Sequence, residues 1–180
     1  PDYTFPLVRV LDEITPNTRV VFITSPNNPT GVMTSLDDIR AVASRIPPGA
    51  IVFVDEAYAE FSGVSFIPEL ARHPNVIVGR TFSKAFGLAG LRIGALTGHP
   101  DALEPIRLVI PVYSVNVAAV VAVQAALQDL AYVEQYKGQV AESKVLLYAA
   151  CDRLGLRYWK SAANFVLINA GARADRLARG

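Results

Sequence analysis

A single cysteine, Cys151, among 180 residues excludes an internal disulfide framework and fits a reducing, cytoplasmic compartment. On its own it reads as a small buried apolar residue. The two histidines, His73 and His99, each precede a proline and lack a partner at ligand spacing. No metal site is expected, and both read as solvated loop residues. A formal charge of +1 gives no electrostatic reason to expect nucleic acid or an anionic membrane as a partner. Long hydrophobic runs are missing too. The most apolar stretch, Val115 to Leu127, contains Asn116 and Gln124 and is too short to span a bilayer. Pro1-Asp2 opens without a basic or apolar leader, so no signal peptide is expected. There is no internal repeat, no Walker sequence and no Gly-x-Ser-x-Gly elbow. Thr81 stands three residues before Lys84, the spacing of a penicillin-binding signature, but threonine occupies the position that chemistry requires to be serine.

What is present is apolar mass. Hydrophobic residues make up 52% and charged residues 18%, enough for a folded core and for a surface that expects a partner. Residues 1–18, broken by Pro1, Pro6 and Pro16, form a lead-in with a short helix from Leu7 to Ile14. Arg19 to Thr24, Ala50 to Val54 and Asn75 to Gly79 are continuous β-branched runs, read as buried strands. Thr34 with Asp37 forms a capping signal for a helix bearing Leu36, Ile39, Val42, Ala43 and Ile46, which Pro47-Pro48-Gly49 ends. A helical stretch is expected at Pro68 to Arg72, a further strand at Leu91 to Thr97 and a short helix from Asp101 to Leu108. Asn116 to Leu130, apolar on nearly every face, predicts a buried helix. Tyr132 to Leu154 predicts a long helix with a stripe of Val133, Tyr136, Val140, Leu147, Cys151 and Leu154. The fold class is α/β: a mostly parallel sheet flanked by helices, then the start of a smaller α+β lobe. The expected division is 1–135, a connecting helix 136–154, and 155–180. The chain reads as a piece of a longer protein.

Polar chemistry follows each strand run directly. The first gives Asn28, the second Asp55 and Tyr58, the third Thr81, Ser83, Lys84 and Arg92. In parallel sheets the carboxyl ends of strands lie on one edge, where ligands bind. Each residue has a plainer role open to it: a turn for Asn28, a helix cap for Asp55, packing for Tyr58, a solvated loop for Lys84 and a surface ion pair for Arg92. Their convergence favours a shared site. A lysine beyond a buried strand is poorly solvated, so its neutral amine is accessible and can condense with a carbonyl. Hydroxyls and a guanidinium beside it suit a phosphate monoester. An amine for an aldehyde and a cradle for a phosphate together point to pyridoxal phosphate.

Ser25-Pro-Asn-Asn-Pro-Thr-Gly31, Val54-Asp-Glu-Ala-Tyr-Ala-Glu-Phe61 and Arg80-Thr-Phe-Ser-Lys-Ala-Phe-Gly-Leu-Ala-Gly-Leu-Arg92 resemble, in order and spacing, the signatures of fold-type I, pyridoxal-phosphate-dependent aminotransferases of class I/II. The match is nearest to the histidinol-phosphate aminotransferases. Pro111 to Asn116 and Ser161 to Leu167 resemble weaker stretches of the same family. The resemblance implies an aspartate-aminotransferase-like large domain and a homodimer with no nucleic-acid or membrane partner. Lys84 would be the Schiff-base lysine and catalytic base. Asp55 would hold the ring nitrogen protonated, with Asn28 and Tyr58 on the ring's phenolic oxygen. Ser83, Arg92 and Thr81 would hold the phosphate. The implied reaction takes an amino donor, histidinol phosphate, and a 2-oxo acid acceptor, 2-oxoglutarate, in histidine biosynthesis. Threonine-phosphate decarboxylation, aromatic transamination, a non-catalytic cofactor-sensing domain and an inactive fragment are the alternatives. The family's ring-stacking aromatic and carboxylate-clamping arginine have no matching position here, since Arg173, Arg176 and Arg179 do not sit in that arginine motif.

Overall fold

The computed structural model describes residues 2–179. Four strands, β1 (Val20–Thr24), β2 (Ile51–Asp55), β3 (Val76–Thr81) and β4 (Gly94–Gly98), form one sheet in that order. The first three are parallel, and β4 runs antiparallel to β3 along the edge. The antiparallel edge has a simple cause. Residues 82–93 hold only a 3-10 turn, Ala89–Leu91, and no helix that could carry the chain back for a parallel strand.

Alternation along the strands makes two unlike faces. In β2, Val52 and Val54 are buried, while Ile51, Phe53 and Asp55 point the other way. The register sets Ile23, Val54 and Val78 in one row and Thr24, Asp55 and Gly79 in the next. Against the first face pack α1 (Leu7–Asp12), α2 (Leu36–Arg45) and the 3-10 turn Ile67–Arg72, which follows the single-turn α3 (Ala59–Ser62). Ile39, Val42, Ile46, Phe66 and Leu70 interlock there with the strand valines. Both crossovers lie on this side, as right-handed connections stepping one way across a sheet require.

The cap of α2 differs from expectation by one residue. Ser35, not Thr34, is the N-cap, its hydroxyl accepting from Asp38 N–H at 3.0 Å. Thr34 is buried, and its N–H and carbonyl are both bonded to Ser25 Oγ. A Ser-x-x-Asp pattern lies one position along from Thr-x-x-Asp, and with the Thr34 backbone pinned to Ser25 the role passes to Ser35. Ile46, extended before Pro47, ends the helix as its sequence requires.

The second face is thinly covered. Phe22 is 73% exposed and meets Phe53 at 5.3 Å between ring centroids. A cavity of about 690 Å³ lies over it, bounded by Phe22, Phe53 and Ile77 and by Pro105 and Ile106 of α4 (Pro100–Val109). The apolar α5 (Val117–Gln128) is likewise not the buried helix its composition predicts. Only Ala119 and Val123 are buried, and Val117 is 79% exposed, because among the described residues little packs on its other faces. The 24-residue α6 (Leu130–Arg153) buries Val133 and Cys151, but two members of the expected stripe, Leu147 and Leu154 (the C-cap), are exposed. It leads to β5 (Arg157–Tyr158), paired antiparallel with β6 (Ile168–Asn169), and then to α7 (Ala174–Arg179).

The histidines have firmer roles than solvated loops. His73 packs on Phe66 at 5.4 Å, and His99 Nδ1 caps α4 by accepting from Asp101 N–H at 3.3 Å. Among the described residues no single helix is long and apolar enough to cross a membrane, and no cluster of ligands fits a metal ion.

Candidate active site

The carboxyl ends of β1, β2 and β3 each release a loop at the same edge of the sheet. After β1, the Thr24–Val32 loop closes on Asn27. Asn27 N–H donates to Val32 O at 2.8 Å, Gly31 N–H donates to Asn27 O at 2.7 Å, and Thr30 Oγ1 donates to Asn27 Oδ1 at 2.9 Å. The Ser25–Pro26 and Asn28–Pro29 bonds are both cis. With Asn27 committed inward, the neighbouring Asn28 amide is left to reach Tyr58. Its Nδ2 donates to Tyr58 Oη at 3.2 Å, so the tyrosine keeps its own proton to donate elsewhere. Tyr58 is buried, gripped edge-on by Phe165 at 5.1 Å.

After β2, Asp55 accepts from Ala57 N–H at 3.0 Å through Oδ1. This is a local turn and not the helix cap also open to an aspartate at a strand end, since Tyr58 stands at the N-cap of the following helix. Oδ2 has no hydrogen bond among the described residues. After β3, Thr81 Oγ1 accepts from Ser83 N–H at 3.1 Å, setting both hydroxyls on one turn. Lys84 follows, half-buried rather than fully desolvated, with Nζ 5.5 Å from the centroid of the Tyr58 ring. Arg92 adopts φ of 53°, a left-handed conformation uncommon outside glycine. Its guanidinium makes one bond, to Ala89 O at 2.9 Å, and no carboxylate pairs with it among the described residues.

Asp55, Thr81, Ser83, Lys84 and Arg92 all line one cavity of about 430 Å³, and the Asn28–Tyr58 pair adjoins it through Lys84. All seven residues singled out from the sequence thus come together. Strand phase explains part of this: Asp55, Gly79 and Thr81 share the thinly covered face. Arg80, between Gly79 and Thr81, points to the helix-packed face. There Nε bonds Glu56 at 2.8 Å and Nη1 bonds Glu60 at 2.6 Å. Glu56 is 2% exposed and also accepts from Ser65 Oγ at 2.7 Å and from Phe66 N–H. This ion cluster anchors the ends of β2 and β3 directly beneath the site, and no spacing rule exposes it in the sequence.

Gly31, the last residue of the 25–31 signature, meets the 161–163 loop through its carbonyl, which accepts from Ala162 N–H at 2.8 Å. Its φ is 73°, and a Cβ there would lie 2.2 Å from Ser161 Oγ and 2.9 Å from Ser161 Cα. Gly31→Ala is expected to destabilise the fold by roughly 2–4 kcal/mol, from left-handed strain plus overpacking against backbone. Urea unfolding measures it. A loss below about 0.5 kcal/mol would mean the two loops separate easily.

Chemically, the cavity can take an anion against Arg92, Thr81 and Ser83, a cationic N–H against Asp55, and a carbonyl at Lys84. The sequence model of the family described as aminotransferase class I and II matches residues 4–179. Histidinol-phosphate aminotransferase of Symbiobacterium thermophilum is 42% identical over 171 residues, 94% of this chain and 47% of that protein. Histidinol-phosphate aminotransferase 2 of Ralstonia nicotianae is 38% identical over 182 residues, 99% and 49% of the two chains. Among solved structures, histidinol-phosphate aminotransferase from Sinorhizobium meliloti in complex with pyridoxal-5'-phosphate superposes with a TM-score of 0.82 at 32% identity, covering 94% of this chain and 46% of that one. Aspartate aminotransferase from Thermus thermophilus with maleate gives 0.79 at 26%, covering 93% and 46%. The chain spans about half the length of the curated relatives it matches. Matched along nearly all of its length by the family's sequence and by its fold, the chain belongs to the class I and II aminotransferases.

Proposed function

We propose that this chain forms the cofactor-binding part of a pyridoxal-phosphate-dependent aminotransferase that moves the amino group of histidinol phosphate to 2-oxoglutarate, in histidine biosynthesis. The observation that carries the reading is the meeting of Asp55, Thr81, Ser83, Lys84 and Arg92 on one cavity of about 430 Å³, beside the Asn28–Tyr58 pair. The substrate assignment rests on the names of the relatives. Within the proposal, residues 1–135 belong to the large domain, 136–154 connect, and 155–180 begin the small domain of a cytoplasmic homodimer.

The residues fit the cofactor. The open Oδ2 of Asp55 is an acceptor awaiting a donor, and Arg92 has unused guanidinium donors beside two hydroxyls. Pyridoxal phosphate, when bound, supplies an aldehyde that condenses with amines and a cationic ring that draws in electrons. Arg92 would engage the phosphate as a fork, with Thr81 and Ser83 completing its oxygens. Asp55 would keep the ring nitrogen protonated by facing it with a carboxylate. Asn28 Nδ2 and Tyr58 Oη, both able to donate, would restrain the ring's phenolic oxygen. Lys84 Nζ would carry the cofactor at rest and remove the proton from the substrate α-carbon when freed. The Tyr58 ring beneath it limits where that amine can swing.

The test uses the purified protein. Addition of pyridoxal phosphate, borohydride reduction and peptide mapping should place a pyridoxyl group on Lys84. Glutamate formation should then be faster with histidinol phosphate than with aspartate or phenylalanine as donor. A folded protein that takes no cofactor would overturn the reading. A loaded protein that transaminates no donor would favour a sensing domain, and a preference for phenylalanine would move the substrate to the aromatic class.

A further inference from the structure

We propose that Lys144 is a positioning residue: through the 161–163 loop it holds the Asn28–Tyr58 pair in place, an assignment that rests on reading this pair as part of the cofactor pocket. Lys144 and Tyr148 lie one turn apart on α6 and so share a face. Lys144 Nζ donates to Ser161 O at 2.8 Å and to Ala163 O at 2.9 Å. Tyr148 Oη accepts from Ser161 N–H at 3.0 Å, and Ser161 Oγ accepts from Ala163 N–H at 3.0 Å. The remaining amide, Ala162 N–H, donates to Gly31 O at 2.8 Å. The loop is therefore held between α6 on one side and the Thr24–Val32 loop on the other.

From there it reaches both members of the pair. Gly31 closes the turn that contains Asn28, and its Cα packs against Ser161 without room for a methyl group. Two residues past Ala163, Phe165 lies edge-on to Tyr58. The loop thus bears on Asn28 through backbone and on Tyr58 through an aromatic ring. Lys144 is an unusual choice for such a support. No carboxylate pairs with it among the described residues, and burial lowers its pKa. A cation kept half-desolvated without a counter-charge serves geometry here, because one ammonium satisfies two carbonyls that face the same point.

The experiment compares the wild type with Lys144→Met and Lys144→Arg. In cofactor-free protein, Lys144→Met should speed amide exchange about 10-fold in residues 159–166 and also in residues 26–32, as losing a charged hydrogen-bond donor implies. Lys144→Arg should restore slower exchange in both segments. With pyridoxal phosphate bound, the pH midpoint of its visible band should move by about half a unit or more in Lys144→Met, because Asn28 and Tyr58 no longer restrain the phenolic oxygen. Faster exchange confined to residues 159–166, with an unmoved band, would overturn the proposal. Wild-type protein that binds no cofactor would end the functional reading while the exchange data still judge the support. Should Lys144→Met not fold, Tyr148→Phe removes the α6 acceptor of Ser161 N–H and is read by the same exchange pattern.

Discussion

Lys84→Ala should lower transamination by on the order of 10⁴-fold or more while leaving the fold intact. In the proposed reaction the residue would do two things, carry the cofactor's aldehyde carbon and move the α-proton, and each is worth orders of magnitude in rate. Structurally it is asked for little. Its side chain has no hydrogen bond or ion pair among the described residues, only the approach to the Tyr58 ring at 5.5 Å. Such a contact at a partly exposed site is worth about 0.5–1 kcal/mol, so unfolding should shift by no more than that. The separation is measurable by turnover and urea unfolding on one preparation. Added small primary amines should return part of the proton-transfer rate, because the truncated side chain leaves space where Nζ stood. A variant that keeps more than a hundredth of wild-type turnover would remove Lys84 from the reaction.

Arg80→Met should have the opposite profile, a large loss of stability from a residue next to the site. The guanidinium spans Glu56 at 2.8 Å and Glu60 at 2.6 Å, and both carboxylates lie on the helix-packed face. One oxygen of Glu60, Oε2, is buried without a hydrogen bond, so the cluster already has little spare solvation. Removing its cation leaves the buried Glu56 and the half-buried Glu60 without a counter-charge, which costs about 3–5 kcal/mol. For a chain of this size that corresponds to a fall in Tm of roughly 6–20 °C. Arg80→Lys should recover only part of it, since an ammonium has no fork with which to bridge two carboxylates. A change within about 1 kcal/mol in Arg80→Met would mean that the apolar packing of Phe66 and Val78 alone holds these strand ends.

How much of this was legible in the sequence depends on the range over which each residue acts. Continuous β-branched runs marked β1, β2 and β3 within a residue or two, and the polar residues after them marked the site, because both signals are local. The shift of the cap from Thr34 to Ser35 was not legible, since two overlapping patterns compete and a distant Ser25 decides between them. Composition misjudged α5: Val117 and Val121 are apolar, yet nothing among the described residues covers them. The direction of β4 depends on what residues 82–93 fail to form. Arg80, Glu56 and Glu60 lie within the 54–61 and 80–92 signatures without showing their pairing, which needs strand phase and the reach of three side chains. Lys144 was invisible for the same reason, because its acceptors are carbonyls and any sequence has carbonyls.

The alternation along β2 also bears on how the gene can change over generations. Val54 and Asp55 are adjacent, yet one fills the core and the other lines the cavity. Insertion of one codon within the strand would turn the carboxylate into the core and present an aliphatic side chain to the cavity. Insertion of two would restore its facing but displace it by about 6.6 Å along the sheet. Neither can be repaired by a point substitution nearby. Length variation in a lineage that keeps this chemistry is therefore confined to the segments between strands, and β2 acts as a reading frame in its own right.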